Sequence, residues 1–266
     1  MKSIFSILCF LIALQSTAQD AVFTQVKSIE GDNIDFTIDN LGNYYLLSKN
    51  NQLKKLNGNG DSMGVFNDVR RYGKLYSIDA SNPLKVLLYY KNFATVVVLD
   101  RFMNMINTID LRKQNIFQVK AIAQSYDNNI WVYDEQSSKL KKIADDGSIL
   151  SETVEFRMFM DDVPSPTHIF DQDGFVYLYD PEKGIYVFDI YGSFKNKISY
   201  IGLTDLGIFG KTIVGIENQQ LIAYTTGTLT ERKLPLPAMF ADRQKVLIRP
   251  GHFYILQNGA VQHFTF

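Results

Sequence analysis

An aspartate-led turn that runs into an aromatic strand recurs along this chain and constrains its fold more than any other feature. The turn occurs at Asp39, at Asp127 and at Asp171, and each time a β-rich run follows it. The first two aspartates are 88 residues apart and the last two are 44 apart, so one further unit fits into the first gap. Self-similarity at a fixed period of this length is typical of repeat architectures.

Each repeat divides into four short strands separated by turn residues. In the first unit, β-rich runs cover Ile34–Ile38, Tyr44–Leu47, Gln52–Leu56 and Met63–Phe66. Glycine and asparagine residues lie between these runs, and such spacing predicts short antiparallel strands. No segment keeps an apolar period of about 3.6 residues over helical length, so the sequence predicts an all-β chain.

Six units of this kind can be placed, and the last one is incomplete. After the first unit, the others cover residues 75–111, 120–155, 167–199, 207–234 and 245–266. The last unit shows three strands only, whereas a further β-rich run, Val22–Ile29, precedes the first unit. If this run supplies the outer strand of the last unit, every unit has four strands and the ring has no open seam.

The repeat pattern resembles the six-bladed β-propellers of the NHL and TolB kind, over essentially the whole of residues 19–266. The resemblance implies a single domain of six four-stranded antiparallel blades, closed by the N-terminal strand joining the C-terminal blade. It lies in the repeat and not in a diagnostic motif. A β-sandwich or jelly roll is the alternative, but neither explains a period near 44 residues.

The N-terminal residues predict a secretory signal peptide. Lys2 gives a short positive region, Ile4–Leu14 is apolar, and small residues up to Ala18 predict cleavage before Gln19. A lipoprotein signal would need small residues directly before Cys9, where the chain has isoleucine and leucine. The sequence therefore divides into a signal peptide, 1–18, and one propeller domain, 19–266. It resembles exported proteins of Bacteroidetes-type bacteria, and it leaves periplasmic and cell-surface locations open.

Charge and hydropathy restrict the classes of partner. The chain has a formal net charge of −1, and its lysines are spread along the sequence, which gives no electrostatic case for nucleic acid. No stretch after the signal peptide reaches the roughly 20 apolar residues of a transmembrane helix. We expect an envelope or secreted protein as partner, with peripheral association with an outer-membrane complex as one form of it.

No catalytic, cofactor-binding or metal-binding residue is assigned from the sequence. The run from Asp171 to Gly174 begins like a calcium loop, but Phe175 stands where a ligand is needed, and the repeat favours a structural turn. The histidines, His168, His252 and His263, are isolated in the sequence, and only His168 falls on an expected inner strand. A metal-dependent hydrolase or lyase, or a small-ligand binder, acting at the central channel remains the alternative function.

Two lysine pairs, Lys54-Lys55 and Lys141-Lys142, recur at matching positions of two units. Neighbouring residues of a strand face opposite sides, so neither pair can form a single basic patch. We expect these lysines to lie along a solvated third strand.

The links between units carry the residues that most favour a binding function. Aromatic, methionine and arginine side chains are enriched at protein interfaces, and they concentrate in these links and in one turn on the same face. The candidate protein-binding residues are Phe66, Arg70, Arg71, Tyr72, Phe93, Phe117, Phe156, Arg157, Met158, Phe159, Met160, Met239 and Phe240. Packing between blades is the alternative role for each of them. The leading hypothesis is a non-enzymatic, exported interaction module or assembly subunit that binds through this face.

Overall fold

A computed structural model describes residues 23–266 of the chain. The predicted signal peptide and its cleavage point lie outside the described residues. In the described part, short strands joined by tight turns account for most of the chain, and helical structure is confined to single turns in the connections.

Residues 23–266 form 24 strands. In chain order they are β1 (Thr24–Ile29), β2 (Asn33–Ile38), β3 (Tyr44–Ser48), β4 (Leu53–Leu56), β5 (Ser62–Phe66), β6 (Ser77–Asp79), β7 (Val86–Tyr90), β8 (Thr95–Leu99), β9 (Met105–Asp110), β10 (Val119–Gln124), β11 (Ile130–Asp134), β12 (Lys139–Ile143), β13 (Ile149–Glu152), β14 (His168–Gln172), β15 (Phe175–Asp180), β16 (Gly184–Asp189), β17 (Phe194–Ile198), β18 (Thr204–Phe209), β19 (Thr212–Glu217), β20 (Gln220–Thr225), β21 (Thr230–Pro235), β22 (Lys245–Arg249), β23 (His252–Gln257) and β24 (Ala260–Thr265). The helical turns are α1 (Val69–Tyr72) and the 3-10 turns Lys91–Phe93, Leu111–Gln114, Phe156–Met158 and Ala238–Phe240.

These strands make six antiparallel sheets of four strands each. The first five blades take consecutive strands, from β2–β5 to β18–β21, and the sixth contains β22, β23, β24 and β1. The first strand of each of the first five blades, and β22 in the sixth, is innermost, because contacts between sheets run from β10 to β14 and from β18 to β22. The predicted six-bladed β-propeller is confirmed.

The ring closes through the N-terminal strand. Strand β1 pairs antiparallel with β24, from Thr24 opposite Thr265 to Ile29 opposite Val261. The seam continues at Asn33, whose backbone N–H and side-chain amide both donate to the carbonyl oxygen of Gly259, at 3.2 and 2.8 Å. The prediction that the N-terminal run completes the last blade is confirmed.

The core consists of apolar layers between neighbouring blades. Phe36 and Leu46 of the first blade, for example, pack against Leu256 and Val261 of the sixth. Each blade therefore buries both of its faces, and middle strands such as β7, β8 and β11 are buried along their whole length without alternation. Burial of apolar surface against both neighbours is the main stabilising term of such a repeat.

The recurring aspartates are not equivalent. Asp39 caps its turn, because one carboxylate oxygen accepts the N–H groups of Leu41 and Asn43, each at 2.9 Å. Asp171 lies within β14 and accepts hydrogen bonds from the third blade, including the indole N–H of Trp131 at 2.8 Å. The tight turn in that hairpin falls two residues later, at Asp173-Gly174, where both φ angles are positive. The expectation that Asp171 is a turn residue is wrong, since it joins two blades.

The paired lysines are not solvated as expected. Lys55 is 1% exposed, and Lys141 and Lys142 are also buried, so only Lys54 matches the prediction. The ammonium of Lys55 donates to the carbonyl oxygen of Arg101 in the next blade at 2.9 Å. Because neighbouring blades cover middle strands on both faces, alternation along the strand exposes Lys54 alone of these four lysines.

Each buried lysine of the third blade has its own carboxylate. The ammonium of Lys141 lies 2.8 Å from Asp134, and that of Lys142 lies 2.9 Å from Asp127. Lys142 also lies over the ring of Trp131, 4.6 Å from its centroid. These contacts supply the charge and hydrogen-bond partners that a buried ammonium needs.

We predict that Phe23→Ala destabilises the closed ring by about 2 kcal/mol, because the ring of Phe23 contacts aromatic rings of the sixth blade and of the link before it. Its centroid lies 5.2 Å from Phe240, 5.3 Å from Phe253 and 5.2 Å from Phe266. Urea denaturation followed by tyrosine and tryptophan fluorescence measures the change. Phe102→Ala, at an exposed position, is the control and should alter stability by less than about 0.5 kcal/mol.

We also predict that Asp134→Asn costs about 3 kcal/mol, because it removes the nearer carboxylate of the buried ammonium of Lys141 and leaves only Glu152, at 3.9 Å. Glu155→Gln removes the partner of Arg157 in an exposed pair and should cost about 1 kcal/mol or less. Both values come from urea denaturation at neutral pH. If the two substitutions lowered the free energy of unfolding equally, burial would not determine how much the Asp134–Lys141 pair contributes to stability.

Candidate protein-binding face and central channel

The links between blades and the turns between second and third strands lie on one face of the propeller, here called the loop face. In the third, fourth and fifth blades, backbone hydrogen bonds join the turn directly to a neighbouring link. These bonds are Glu135 N–H to Gln118 O at 2.8 Å, Phe156 N–H to Ser138 O at 2.9 Å, Gly202 N–H to Pro181 O at 2.7 Å and Leu236 N–H to Gln219 O at 2.9 Å. The remaining turns lie on the opposite face.

Three of the thirteen sequence-predicted binding residues are buried anchors. Tyr72, Phe156 and Phe240 each belong to a helical turn of a link and point into the groove between blades. The Phe156 ring stacks on Phe188, with centroids 4.9 Å apart and planes 10° from parallel. The hydroxyl of Tyr72 lies 3.1 Å from that of Thr108. These three side chains pack within the protein and hold their links in place.

Of the other ten candidates, two are half-buried and eight are exposed. Phe66 and Met160 are half-buried against the cores of their blades. The remaining eight are exposed on the loop face: Arg70, Arg71, Phe93, Phe117, Arg157, Met158, Phe159 and Met239. Met158 is the most open of the apolar ones, at 76% exposed.

The structure groups the exposed candidates into two clusters. On the first and second blades the ring of Phe93 lies against Gly73, so close that a Cβ on residue 73 would come within 3.1 Å of it. The guanidinium of Arg71 lies over the ring of Tyr72 at 5.0 Å. On the third blade, Phe159 meets the buried Phe156 edge-on at 5.7 Å. Met239, on the link to the sixth blade, joins neither cluster through a contact of this kind.

Sequence reasoning missed two members of the first cluster. Tyr76 is 48% exposed at the end of the link, and the ammonium of Lys91 lies 4.6 Å from the centroid of its ring. The sequence offers no signal for this contact, because Lys91 belongs to a turn in the next blade. Its identification requires knowing that the turn and the link lie on the same face.

The innermost strands form a channel with cationic groups near both ends. Lys245, at the start of β22, donates to the carboxylate of Asp35 on β2. His168, at the start of β14, faces the same region: burial lowers its pKa, the nearby charge of Lys245 lowers it further, and Asp35 partly offsets both. At the other end, Arg249 donates to the carbonyl oxygen of Ile38 at 2.7 Å.

Arg249 is the second feature that the sequence did not reveal. Its guanidinium lies 5.6 Å from the ring of Phe209, and its Nε–H has no hydrogen-bond acceptor among residues 23–266. Burial lowers the pKa of Arg249, with partial compensation from Tyr254, Asp39 and Asp79. The side chain forms no ion pair within the described residues.

Several carboxylates of the inner strands already serve the fold. Asp79 accepts the backbone N–H of Gln124 in the next blade at 2.6 Å, and Asp205 likewise accepts that of Val246 at 2.7 Å. In the turn after β10, burial opposes ionisation of Asp127, but hydrogen bonds led by that of Lys142 outweigh burial and lower the pKa of Asp127 to about 2. Between residues 23 and 266, no three metal-ligating side chains come together in a group.

Two histidines that are isolated in the sequence are neighbours in the structure. Nδ1 of His252 and Nε2 of His263 are 2.9 Å apart on adjacent strands, and the ring of Tyr254 stacks on His263 at 4.3 Å. Burial, followed by the charges of His252 and Lys27, lowers the pKa of His263. The pair lies outside the channel, in the sixth blade.

Comparison with known proteins identifies the fold only. No protein-family model matches the sequence, and no curated protein sequence matches it. Virginiamycin B lyase from Staphylococcus aureus, solved as an inactive variant with quinupristin, is 12% identical, with a TM-score of 0.63 over 92% of this chain and 100% of the lyase. BamB from Moraxella catarrhalis is 13% identical, with a TM-score of 0.51 over 92% of this chain and 98% of BamB. A chain of the mitotic checkpoint complex is 8% identical, with a TM-score of 0.56 over 100% and 99% of the two chains.

At such low identities, these similarities show a shared propeller fold and do not address activity. None of the helices in residues 23–266 has the length and apolar character needed to cross a membrane.

We predict that Lys245→Gln raises the pKa of His168. The substitution removes a positive charge that opposes protonation of the imidazole and leaves the carboxylate of Asp35 to favour it. NMR titration of the histidine ring protons measures the change, with His168 assigned through His168→Gln. Lys211→Gln, in an exposed turn of the fifth blade, is the control and should leave this pKa unchanged. An unchanged pKa in Lys245→Gln as well would show that Lys245 and His168 do not interact.

Proposed function

We propose that this protein is a non-enzymatic, exported six-bladed propeller that binds another envelope or secreted protein through its loop face. One observation carries the proposal: eight aromatic, methionine and arginine side chains are exposed there, seven on links with buried residues and one, Phe93, on a turn. Interfaces are enriched in these residue types, and side chains held on rigid links lose less entropy on binding.

The anchors explain why the exposed residues suit recognition. Phe156 is fully buried and continues the aromatic stack to Phe188, while Arg157, Met158 and Phe159 follow it directly on the surface. Arg157 is further held by its contact with Glu155 at 3.0 Å. A partner therefore meets a preformed surface in place of a mobile loop.

Propellers with little sequence identity support this class of function without identifying a partner. One of the similar folds belongs to a chain of a multi-protein complex, the mitotic checkpoint complex. Export rests on the N-terminal sequence, residues 1–18. A permanent assembly subunit and a transient binder are two forms of the same proposal.

The alternative is a ligand-binding or catalytic channel. One observation favours it: the guanidinium of Arg249 forms no ion pair within residues 23–266, and its Nε–H has no hydrogen-bond acceptor there. The similar fold of a lyase that was solved with quinupristin shows that propellers can act on small molecules. Several inner carboxylates are already bonded to neighbouring backbone or lysine groups, which leaves few for chemistry. We therefore place the loop face first.

The test is native co-purification of the tagged full chain after mild cross-linking, followed by identification of the bound proteins. We predict that Phe159→Ala combined with Arg71→Ala lowers capture by about tenfold or more without changing the thermal midpoint, because both side chains are exposed. The control is Phe102→Ala with Arg101→Ala, an aromatic–arginine pair in a turn on the opposite face, with the guanidinium 4.6 Å from the ring.

Loss of folding in the loop-face variant would assign Phe159 and Arg71 to packing. Recovery of the wild-type protein alone, as a monomer in size-exclusion chromatography, would contradict the proposal. Bound metal or a small molecule in that monomer would favour the channel.

A further inference from the structure

Basic side chains are concentrated on the loop face of the first two blades. They belong to two turns and two links within residues 49–118, and all are exposed. This basic sector consists of Lys49, Arg70, Arg71, Lys74, Lys91, Arg112 and Lys113. The chain as a whole has a net charge of −1, so the concentration is a local property that topology creates.

Six of these seven cations lack an ionic partner. Arg112 pairs with Asp110 at 2.9 Å, whereas the others form no ion pair with any carboxylate of residues 23–266. Lysines elsewhere are paired through the fold, as Lys183 and Lys197 are with Asp162. The basic sector therefore carries six cations with no carboxylate of residues 23–266 at ion-pair distance. From beyond that distance, the charges of Lys91 and Lys113 help to lower the pKa of Glu135 and of Asp110.

The segments of the basic sector form one continuous surface. The backbone N–H of Leu75 donates to the side-chain oxygen of Asn51 at 2.9 Å, which joins the first turn to the first link. Lys91 covers the ring of Tyr76, which joins that link to the second turn. The N–H of Leu111 donates to the carbonyl oxygen of Ala94 at 2.9 Å, which joins the second turn to the second link.

Exposed aromatic rings lie among these charges. Tyr76, Phe93 and Phe117 are each between 42% and 55% exposed, on the same links and turn. Attraction of small counterions does not involve exposed aromatic rings. Cations and aromatic rings together fit a partner with both negative charge and apolar side chains.

Carboxylates bound the basic sector on both sides. Glu30 and Asp32 are exposed on the link between the sixth and first blades, and Asp161 is exposed on the link after the third. A long polymer of uniform negative charge, such as nucleic acid, would be repelled where it passed these links. A protein segment can place its acidic residues on the sector alone, so the boundary favours protein.

We propose that the basic sector is the docking site for an acidic protein segment that carries aromatic or other apolar side chains. The proposal rests on the proposed function, for which it specifies the chemistry of the partner. The cations attract the segment and set its register, and the rings of Tyr76, Phe93 and Phe117 contact its apolar side chains.

The direct test measures binding of a short fluorescein-labelled peptide, in which acidic residues alternate with aromatic ones, to the full chain by fluorescence anisotropy. We predict that Arg70→Glu, Arg71→Glu and Lys74→Glu together weaken binding by about tenfold or more, and that binding by the wild type weakens as salt is raised. A matched triple variant, Lys54→Glu, Arg101→Glu and Lys211→Glu, changes the net charge equally but lies outside the sector.

Each result decides for or against the proposal. A selective loss in the first variant, with the matched variant unchanged, supports it. Equal losses in both variants, no loss in either, or equal binding of a peptide with lysine in place of the acidic residues would overturn it. Tighter, variant-sensitive binding of oligothymidylate or of phosphatidylglycerol vesicles would also overturn it, by assigning the sector to another ligand. If the glutamate variant does not fold, the same positions changed to glutamine provide the comparison.

Failure of this proposal can be separated from failure of the proposed function. A natural partner that is lost with Phe159→Ala alone but retained by Lys49→Glu, Lys91→Glu and Lys113→Glu would keep the loop face as the interface. It would reject the basic sector as the docking site.

Discussion

Strand β1 supplies the hydrogen bonds that the outer edge of β24 would otherwise lack. Each blade buries its faces only against two neighbours, so an open seam would leave the first and last blades half covered. Closure is reinforced where Asn33 binds Gly259 and where Phe23 enters the aromatic cluster of the sixth blade. Because the ring is closed, the spacing of all six links is set by the whole structure, and a surface assembled from several links has a fixed geometry.

The strands and the closure could be predicted because they depend on local signals. Short apolar runs separated by glycine and asparagine define hairpins, and Gly42 and Gly174 adopt the positive φ angles that such turns require. Register is less visible in the sequence. The aspartate of the fourth unit fits the repeat, yet the turn is made by Asp173-Gly174, and Asp171 reaches the third blade. Because the turn lies two residues further along, Asp171 bridges two blades, whereas Asp39 caps its own turn.

Contacts between blades could not be predicted from one sequence. The lysines of β4 and β12 follow a strand pattern that normally alternates between core and solvent, but Lys55, Lys141 and Lys142 are all buried. Their partners are a carbonyl group at residue 101 and the carboxylates of Asp127 and Asp134. His252 and His263 likewise meet only because of the hairpin register, with Tyr254 directly opposite His263. In each case the decisive neighbour is distant in sequence or depends on one residue of register.

The links show the same division between local and tertiary information. Their composition predicted a role in recognition or packing, but not which residue did which. A short helical turn puts one side chain of each anchor-bearing link inward, at Tyr72, Leu111, Phe156 and Phe240. The residues beside it then face solvent. Packing and exposure are therefore coupled. The buried anchor cannot contact a partner, but it fixes the position of the exposed residues beside it.

Ion pairing explains why a nearly neutral chain can still have a selective surface. Through the third and fourth blades, lysines are largely neutralised by carboxylates, including Asp127, Asp134 and Asp162, so the fold uses their charge. On the loop face of the first two blades only Arg112 has such a partner, Asp110, and the six other cations form no ion pair within residues 23–266. Net charge averages over this difference and hides it. The distribution of unpaired charge, and not its total, is what a partner with its own uneven charge would distinguish.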